Sequence, residues 1–434
     1  MKIEKISLYL LMLLIIYISA CKEENRYSPS SQNTSPPGEP TNITWKPLYG
    51  GARFHYTIPA DEDLMTVNAE YTNERGKTYF FSSSFYKDSV DIYGLGAEKE
   101  YTIYLYAVNR AGTESRKVPV QIVPLEPSIS RVAKTFDLKP AFSSFFLDWE
   151  NELEQVINVF VNFKYNENGS PREIISVLSS NKETERFFVR DIKASASDAI
   201  NVSAWVEDRY GNSSNHVDFG NIYLLEDYPL DKSKIRIPEA NDSTVILRSG
   251  TRFNTGVPAM FGENLEGRMS KLIDGIIDRG DNLNFFHTGS RGRTGNSRDG
   301  NMPWNIIFDL GDYYQLSRIN TVQRHTGGLE NISRGQYYRY ENNGHFALYY
   351  FDEDELKWVE CSEQKTPVPV GISELQFVLL GEAGDEAFFY PDDPKYTKAT
   401  RWFRYEGIHC FDDNYSSTGA NCMSELTVYG RKAN

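Results

Sequence analysis

The chain of 434 residues is poor in the residues and motifs on which several common activities depend. It contains only 4 cysteines and 6 histidines and no His-Glu-x-x-His run, so no zinc motif is recognisable. A Gly-x-Ser-x-Gly elbow and a phosphate-binding glycine loop are also absent. Acidic residues outnumber basic ones, and the net charge of -14 disfavours nucleic acid as a partner.

The N-terminal residues have the layout of an export signal. Two lysines precede an apolar stretch, Ile6 to Ile18, which is too short to cross a bilayer as a helix. The Ile-Ser-Ala-Cys ending at Cys21 resembles a bacterial lipobox, which implies a signal peptide over residues 1–20 and acylation of Cys21. The alternative is an ordinary cleaved signal with a chance cysteine. The acidic residues that follow resemble an export signal of Gram-negative lipoproteins, which implies a lipid-anchored protein on the outer face of the outer membrane.

The rest of the chain predicts an all-β protein. Residues 21–38 are rich in Ser, Asn, Pro and Gly and are predicted to form a disordered linker. Beyond them, apolar and polar residues alternate in short runs that are broken by Gly, Asn, Asp and Pro. The length indicates about three domains. The 28 Tyr and 25 Phe residues suit partly exposed β-sheets.

The first two predicted domains look alike. In residues 39–125, Leu95 precedes Tyr101, which opens an alternating strand, and this resembles the fibronectin type III pattern. That resemblance implies that the Tyr101 hydroxyl anchors a corner between two sheets. Residues 126–230 carry Trp149 in a strand-like run and end in a similar turn. We expect two tandem Ig/fibronectin III-like β-sandwiches that act as spacers or protein-contact modules.

The last predicted domain, residues 235–434, carries the most specific pattern. Its ordered segments resemble the discoidin (coagulation factor type C) domain, a galactose-binding-like jelly-roll β-sandwich that includes the family-32 carbohydrate-binding modules. These segments are Lys271–Gly275, Phe286–Thr288, Pro303–Gly311, Ile319–Arg324, Arg401–Tyr405 and Met423–Gly430. The three-part layout also resembles lipoproteins of Gram-negative glycan-utilisation systems. Because the domains that this chain resembles are binding modules or spacers, we predict no enzymatic activity.

The family resemblance implies a sugar-binding set. His287 matches the family's histidine, Arg324 its strand-ending arginine, and Asn331 the asparagine seven residues later. Phe411 or Tyr415 would supply the ring that packs on the sugar. Such residues offer donors and acceptors to hydroxyls and a cover for the apolar face of a pyranose.

Two features depart from simple galactose binding. The family's second aromatic is replaced by Ser290 in a basic, glycine-rich run. Arg291 and Arg293 of that run would suit an acidic sugar or a sulfate, and the alternative is a solvated surface loop. The aromatic-bearing insertion from Arg339 to His345 is a further candidate, because long loops often carry binding.

A calcium site is also implied by the resemblance. The family often places Ca²⁺ between an Asp-Gly turn and the glutamate of the final strand, matching Asp274 and Glu425, with Asn284 where a threonine is usual. Its role would be structural. The alternative is that Asp274 caps a turn and Glu425 pairs with a cation.

The remaining cysteines give one further expectation. Cys410 and Cys422 flank a loop between the last two predicted strands, and export would expose them to oxidation, so they are candidates for a disulfide. Cys361 lies in a strand-like run and is expected to be a buried thiol.

The sequence thus predicts a surface lipoprotein that captures polysaccharide or a glycoprotein glycan through its last domain. The expected partners are the glycan, the outer membrane through the lipid anchor, and an outer-membrane transporter complex. The alternative is an adhesin or scaffold that binds a protein and no sugar. Exposed aromatics around His287 and Arg324 would favour the glycan, and a broad apolar patch would favour a protein.

Overall fold

The computed structural model describes residues 31–190, 192–238, 259–260, 269–280, 284–287, 304–325, 335, 337–412 and 421–433. Within these ranges the chain is nearly all β, as predicted. Two short α-helices occur in the described part, α1 (Ser128–Lys134) and α2 (Glu374–Ala383). No helix among the described residues is both long and apolar enough to cross a membrane.

The first folded unit is an antiparallel β-sandwich. Its strands are β1 (Thr41–Leu48), β2 (Gly51–Thr57), β3 (Leu64–Thr72), β4 (Thr78–Ser84), β5 (Ser89–Tyr93), β6 (Tyr101–Asn109) and β7 (Val118–Ile122). They form one sheet of order β1-β2-β5 and a second of order β4-β3-β6-β7. Inward-facing residues such as Phe54, Val67 and Ile103 fill the space between the sheets. The hydroxyl of Tyr101 accepts a hydrogen bond from the Ala97 N–H at 3.1 Å, which confirms the predicted tyrosine corner.

The second unit repeats this topology strand for strand. Its sheets have the orders β8-β9-β12 and β11-β10-β13-β14, and Trp149 lies in the core between them with 2% of its surface exposed. The strands are β8 (Asp137–Ala141), β9 (Ser144–Glu150), β10 (Ile157–Glu167), β11 (Ser170–Ser180), β12 (Thr184–Val189), β13 (Ile200–Asp208) and β14 (Val217–Ile222). The prediction of two tandem sandwiches of one class is confirmed.

The same side-chain cap closes the last hairpin of both units. Asn109 Oδ1 accepts hydrogen bonds from the backbone N–H groups two and four residues later, at 3.1 and 2.8 Å. Asp208 Oδ1 does the same at 2.8 and 2.9 Å. Short Asn and Asp side chains satisfy turn N–H groups in this way, so the weak sequence repeat has a structural cause.

The third unit is built around one large sheet. Its order is β15-β24-β18-β22-β19-β20, with β16 and β21 also paired to β18 and with a separate pair, β17-β23. The elements are β15 (Tyr228–Pro229), β16 (Ala259–Met260), β17 (Phe286–His287), β18 (Trp304–Val322), β19 (Asn343–Asp352), β20 (Lys357–Lys365), β21 (Asp385–Phe388), β22 (Ala399–Cys410), β23 (Cys422–Met423) and β24 (Glu425–Lys432). Short 3₁₀ turns lie at Lys232–Lys234 and Met269–Leu272.

The long strand β18 changes partners part-way. Its first half pairs with β22, and its second half pairs with β24 and β21. Gly311 lies at the change with φ of +77°, and a Cβ there would come within 2.7 Å of the Lys234 carbonyl oxygen. The strand therefore bends around a core that includes Phe308, Leu316 and Phe403. The discoidin-type assignment of this unit stays a prediction.

The second and third units are docked through buried contacts. The guanidinium of Arg318 binds Asp227 at 2.8 Å, with 6% and 0% of the two side chains exposed. Beside this pair, Phe142 stacks on Phe388 of β21 with ring centroids 6.2 Å apart. These contacts fix the third unit on the segment that leaves the second sandwich.

Candidate functional site

Four polar side chains converge at one end of the third unit. The pairing of β17 with β23 sets His287 opposite Cys422. The backbone N–H of Cys422 donates to the Glu341 carbonyl at 2.8 Å, which fixes the turn before β19 beside the same strand. Arg324 lies just beyond β18. Segments distant in sequence thus meet at one point.

Asn342 fixes Arg324 in this arrangement. Its side-chain Oδ1 accepts from the Arg324 N–H at 2.8 Å, and its Nδ2 donates to the Arg324 carbonyl at 2.9 Å. Asn342 is fully buried. Such a two-point amide contact holds the backbone of Arg324 where a strand pairing would otherwise be needed.

One carboxylate oxygen joins the cluster. Glu341 Oε2 lies 3.0 Å from His287 Nε2, 3.1 Å from Arg324 Nη1 and 3.5 Å from Cys422 Sγ. The Arg324 Nη1 also lies 3.3 Å from Cys422 Sγ. We refer to His287, Arg324, Glu341 and Cys422 as the Glu341 cluster. Because the acceptor is ionised, these hydrogen bonds are of the stronger class.

Burial and charge act in opposite directions in the Glu341 cluster. Burial acts to raise the pKa of Glu341, but the hydrogen bond from His287 and the charges of His287 and Arg324 outweigh it, so the pKa lies below its usual value. Burial raises the pKa of the Cys422 thiol well above its usual value, although Arg324 opposes the shift. Glu341 is therefore an anion at neutral pH, and Cys422 is a thiol.

Exposure separates the members of the cluster. The side chains of Arg324 and Glu341 are 14% and 15% exposed, whereas that of His287 is 8% exposed. The guanidinium of Arg324 also packs over the ring of Phe285, with 4.0 Å between its Cζ and the ring centroid. Arg324 and Glu341 are thus the members that a ligand would reach first, and His287 supports Glu341 from behind.

The structure describes only some of the predicted sugar-binding residues. It brings His287 and Arg324 together through Glu341. The Phe411 N–H donates to the Asn342 carbonyl at 3.1 Å, and its ring meets Tyr338 edge-on at 5.9 Å in a small aromatic cluster. Asn331, Tyr415, Arg291, Arg293 and the lipidation residue Cys21 lie outside the described residues.

The sequence did not single out Glu341, although it lies within the aromatic-bearing insertion. The backbone of the structure marks this turn as unusual. Tyr338 and Tyr340 adopt φ of +55°, a conformation that non-glycine residues rarely take. Strain of this kind concentrates at functional sites.

The predicted calcium ligands do lie together, but their oxygens are engaged by the chain. Asp274 Oδ1 accepts from the Ile276 N–H at 2.9 Å and from Asn284 Nδ2 at 3.1 Å. Glu425 Oε2 accepts from the Gly275 N–H at 2.9 Å, and Glu425 Oε1 pairs with the Lys232 ammonium. These are the contacts of the structural alternative, a capped turn and an ion pair. The calcium site stays a prediction, and it would require the Lys232 ammonium to leave Glu425.

The predicted disulfide between Cys410 and Cys422 is wrong for this structure. Both residues are buried and carry thiols that are not bridged, and the half-buried Cys361 is not bridged either. The physical reason is the direction of the side chains: Cys422 Sγ points at Glu341, whereas Cys410 Sγ faces Asn421 Nδ2 at 3.8 Å.

Comparison with known families covers the two N-terminal units. Residues 37–124 match a family described as a domain of unknown function (DUF4959), and residues 125–224 match one described as a domain of unknown function (DUF5126). Each match spans less than half of the chain, and neither description names an activity. No curated protein matches the chain.

Several solved structures are similar to parts of the chain. A SusE-like protein is 18% identical, with 71% of this chain and 100% of that one covered and a TM-score of 0.33. The C-terminal domain of a Bacteroides fragilis chitobiase is 16% identical, with 48% and 100% covered and a TM-score of 0.27. A two-domain fibronectin type III segment of chicken tenascin is 14% identical, with 43% and 99% covered and a TM-score of 0.21. At these scores the similarities carry no conclusion about function.

Proposed function

We propose that the chain is a surface-anchored glycan-binding protein whose third unit binds sugar hydroxyls at Arg324 and Glu341. The observation that carries the proposal is the convergence on Glu341 Oε2, which lies 3.0 Å from His287 Nε2 and 3.1 Å from Arg324 Nη1. The arrangement presents a fixed acceptor next to a fixed set of donors. Binding, and no catalysis, is the proposed role.

The chemistry of the Glu341 cluster suits a polyhydroxylated ligand. A carboxylate accepts from hydroxyl groups, and a guanidinium donates to them with a rigid geometry. Because Asn342 and Phe285 already hold Arg324, little side-chain entropy would be lost when a ligand binds. His287 acts in this proposal as a positioning residue that orients the carboxylate.

The rest of the chain suits presentation of such a site. Two sandwiches of the same topology separate the proposed lipid-anchored Cys21 from the third unit. The buried Arg318–Asp227 pair then fixes the third unit on the second. A rigid arm of this kind would hold a weak sugar site away from the membrane, where single-site affinities of about micromolar to millimolar suffice. A glycan-uptake complex in the outer membrane is the proposed setting.

A glycan array tests this proposal on the soluble chain of residues 22–434. We use the whole soluble chain because the third unit is docked on the second. Loss of binding is expected in Arg324→Ala, whereas the matched surface control Arg53→Ala in the first unit should bind as the unmodified chain does. His287→Gln keeps an N–H donor and should retain more binding than His287→Ala.

Two outcomes would contradict the proposed site. Binding that survives Arg324→Ala would move the site elsewhere on the chain. Absence of binding by the folded, unmodified chain would favour the second candidate function, contact with a protein. That alternative has its own observation: Ile175 and Val177 on β11 at the edge of its sheet are 54% and 48% exposed.

A further inference from the structure

The Glu341 cluster brings together three kinds of metal ligand. His287 Nε2, Glu341 Oε2 and Cys422 Sγ all lie within 4.8 Å of one another, the one such group among the described residues. They come from β17, from the turn before β19 and from β23, so no spacing in the sequence announces them. Backbone pairing fixes their positions. His287 lies opposite Cys422, and Asn342, which follows Glu341 in the chain, forms a parallel β-bridge with Cys422.

The separations suit a tetrahedral ion. Zinc binds nitrogen and oxygen at about 2.0 Å and sulfur at about 2.3 Å, so tetrahedral ligands lie roughly 3.3 Å apart for N and O and roughly 3.5 Å apart for O and S. The observed separations are 3.0 Å between His287 Nε2 and Glu341 Oε2 and 3.5 Å between Glu341 Oε2 and Cys422 Sγ. We propose that His287, Glu341 and Cys422 form a site for a borderline-soft divalent cation, Zn²⁺ in the first place.

Charge neutrality also fits such an ion. On binding, the Cys422 S–H bond breaks, a sulfur–zinc bond forms, and the proton passes to water. The thiolate and the Glu341 carboxylate then supply two negative charges, and His287 binds as the neutral imidazole. The ion and its ligands together carry no net charge, which lowers the cost of holding them in a mostly buried place.

The positively charged Arg324 would compete with the metal ion for Glu341 and Cys422. Its Nη1 lies 3.1 Å from Glu341 Oε2 and 3.3 Å from Cys422 Sγ, where the ion or its fourth ligand would lie. A guanidinium and a Zn²⁺ ion repel each other at such distances, so the cluster holds one or the other. The site therefore has two states, one closed by Arg324 and one closed by metal with Arg324 displaced.

Because of this competition, substitutions of neighbouring residues should change the zinc affinity in opposite directions. The tag-free chain of residues 22–434, kept reduced, is titrated with Zn²⁺ against a chromophoric chelator. We expect one equivalent to bind with Kd at or below about 1 µM. Cys422→Ser and Glu341→Gln should each weaken binding at least about tenfold, and the control Cys361→Ser should not. Arg324→Met should tighten binding about tenfold or more, because the competing charge is gone.

A spectroscopic measurement keeps the proposal testable if a variant does not fold. Co²⁺ added to the unmodified chain should give the thiolate-to-cobalt absorption of a tetrahedral site, and Zn²⁺ should abolish it. Absence of this band, or Zn²⁺ binding that Cys422→Ser leaves unchanged, would overturn the metal site. The inference does not rest on the proposed function. Arg324→Met should strengthen metal binding while it abolishes sugar binding, so failure of one proposal is distinguishable from failure of the other.

Discussion

His287 Nε2 lies 3.0 Å from Glu341 Oε2, although 54 residues separate them in the sequence. The same oxygen also accepts from Arg324 and Cys422, so Glu341 is the shared acceptor at this end of the third unit. A shared, mostly buried carboxylate makes the surrounding donors depend on it, because each would otherwise lack an ionised acceptor.

Neutralising Glu341 should therefore destabilise the third unit. We expect Glu341→Gln to lower the free energy of unfolding by about 2 to 3 kcal/mol, since Arg324 loses its charged partner in a place with little water. Urea unfolding followed by tryptophan fluorescence measures the change. The matched control is Glu363→Gln, which breaks a similar pair between His345 and the exposed Glu363 side chain and should cost less than about 1 kcal/mol. Equal effects of the two variants would show that the Glu341 cluster has no special role in stability.

Neutralising Asp227 should loosen the docking of the third unit on the second. Asp227 accepts from Arg318 and from the Ser317 hydroxyl at 2.7 Å, and its side chain is fully buried. Breaking a buried pair leaves a buried charge, so we expect Asp227→Asn to cost about 3 kcal/mol. The exposed Arg53–Asp91 pair provides the control, because Asp91→Asn should cost less than about 1 kcal/mol. Urea unfolding checks both, and a small effect of Asp227→Asn would mean that Glu386, the second partner of Arg318, is enough.

Much of the fold was predictable because its signals are local. Alternation of apolar and polar residues follows from the two faces of a strand, and it places Ile103 and Trp149 in the cores, at 0% and 2% exposure. The tyrosine corner at Tyr101 is equally local, since its partner Ala97 is four residues away. The helix α2 was missed, although Ser373 and Gln376 form a capping box that the sequence displays.

The candidate site was predictable only in part because its partners are distant. Arg324 and Cys422 lie 17 and 81 residues from Glu341, and only the folded sheet brings them together. The disulfide prediction does not match the structure for a different reason. Proximity in sequence between Cys410 and Cys422 says nothing of the directions in which β22 and β23 point their side chains.

The thiols of the soluble chain can be counted directly. Residues 22–434 contain three cysteines, Cys361, Cys410 and Cys422, and none is bridged in the structure. We expect three reactive thiols when the air-exposed chain is denatured without reductant and titrated with a thiol reagent. In the folded chain all three should react slowly. Cys410 is buried, and burial raises the pKa of Cys361 to about 12 and that of Cys422 well above its usual value. A count of one reactive thiol would instead support the predicted disulfide between Cys410 and Cys422.

The stability of the third unit should fall as the pH rises from 4.5 through 7, because Glu425 loses its proton. Burial raises the pKa of Glu425 to about 7 from an ordinary value of 4.5, and Asp274 adds to the shift, although the Lys232 ammonium opposes it. The folded chain thus keeps a proton that the unfolded chain loses in this interval. The contribution is fully present below pH 4.5 and is lost as the pH rises through 7, and it amounts to about 3 kcal/mol at most.

The comparison that isolates this effect is Glu425→Gln, whose side chain stays neutral at every pH. Urea unfolding of both chains between pH 4.5 and 8 should show the unmodified chain losing stability relative to the variant as the pH rises. Glu363→Gln, at an exposed position, should run parallel to the unmodified chain. If the unmodified chain instead gains stability over the variant with rising pH, the ion pair with Lys232 outweighs burial, and Glu425 is ionised in the folded protein.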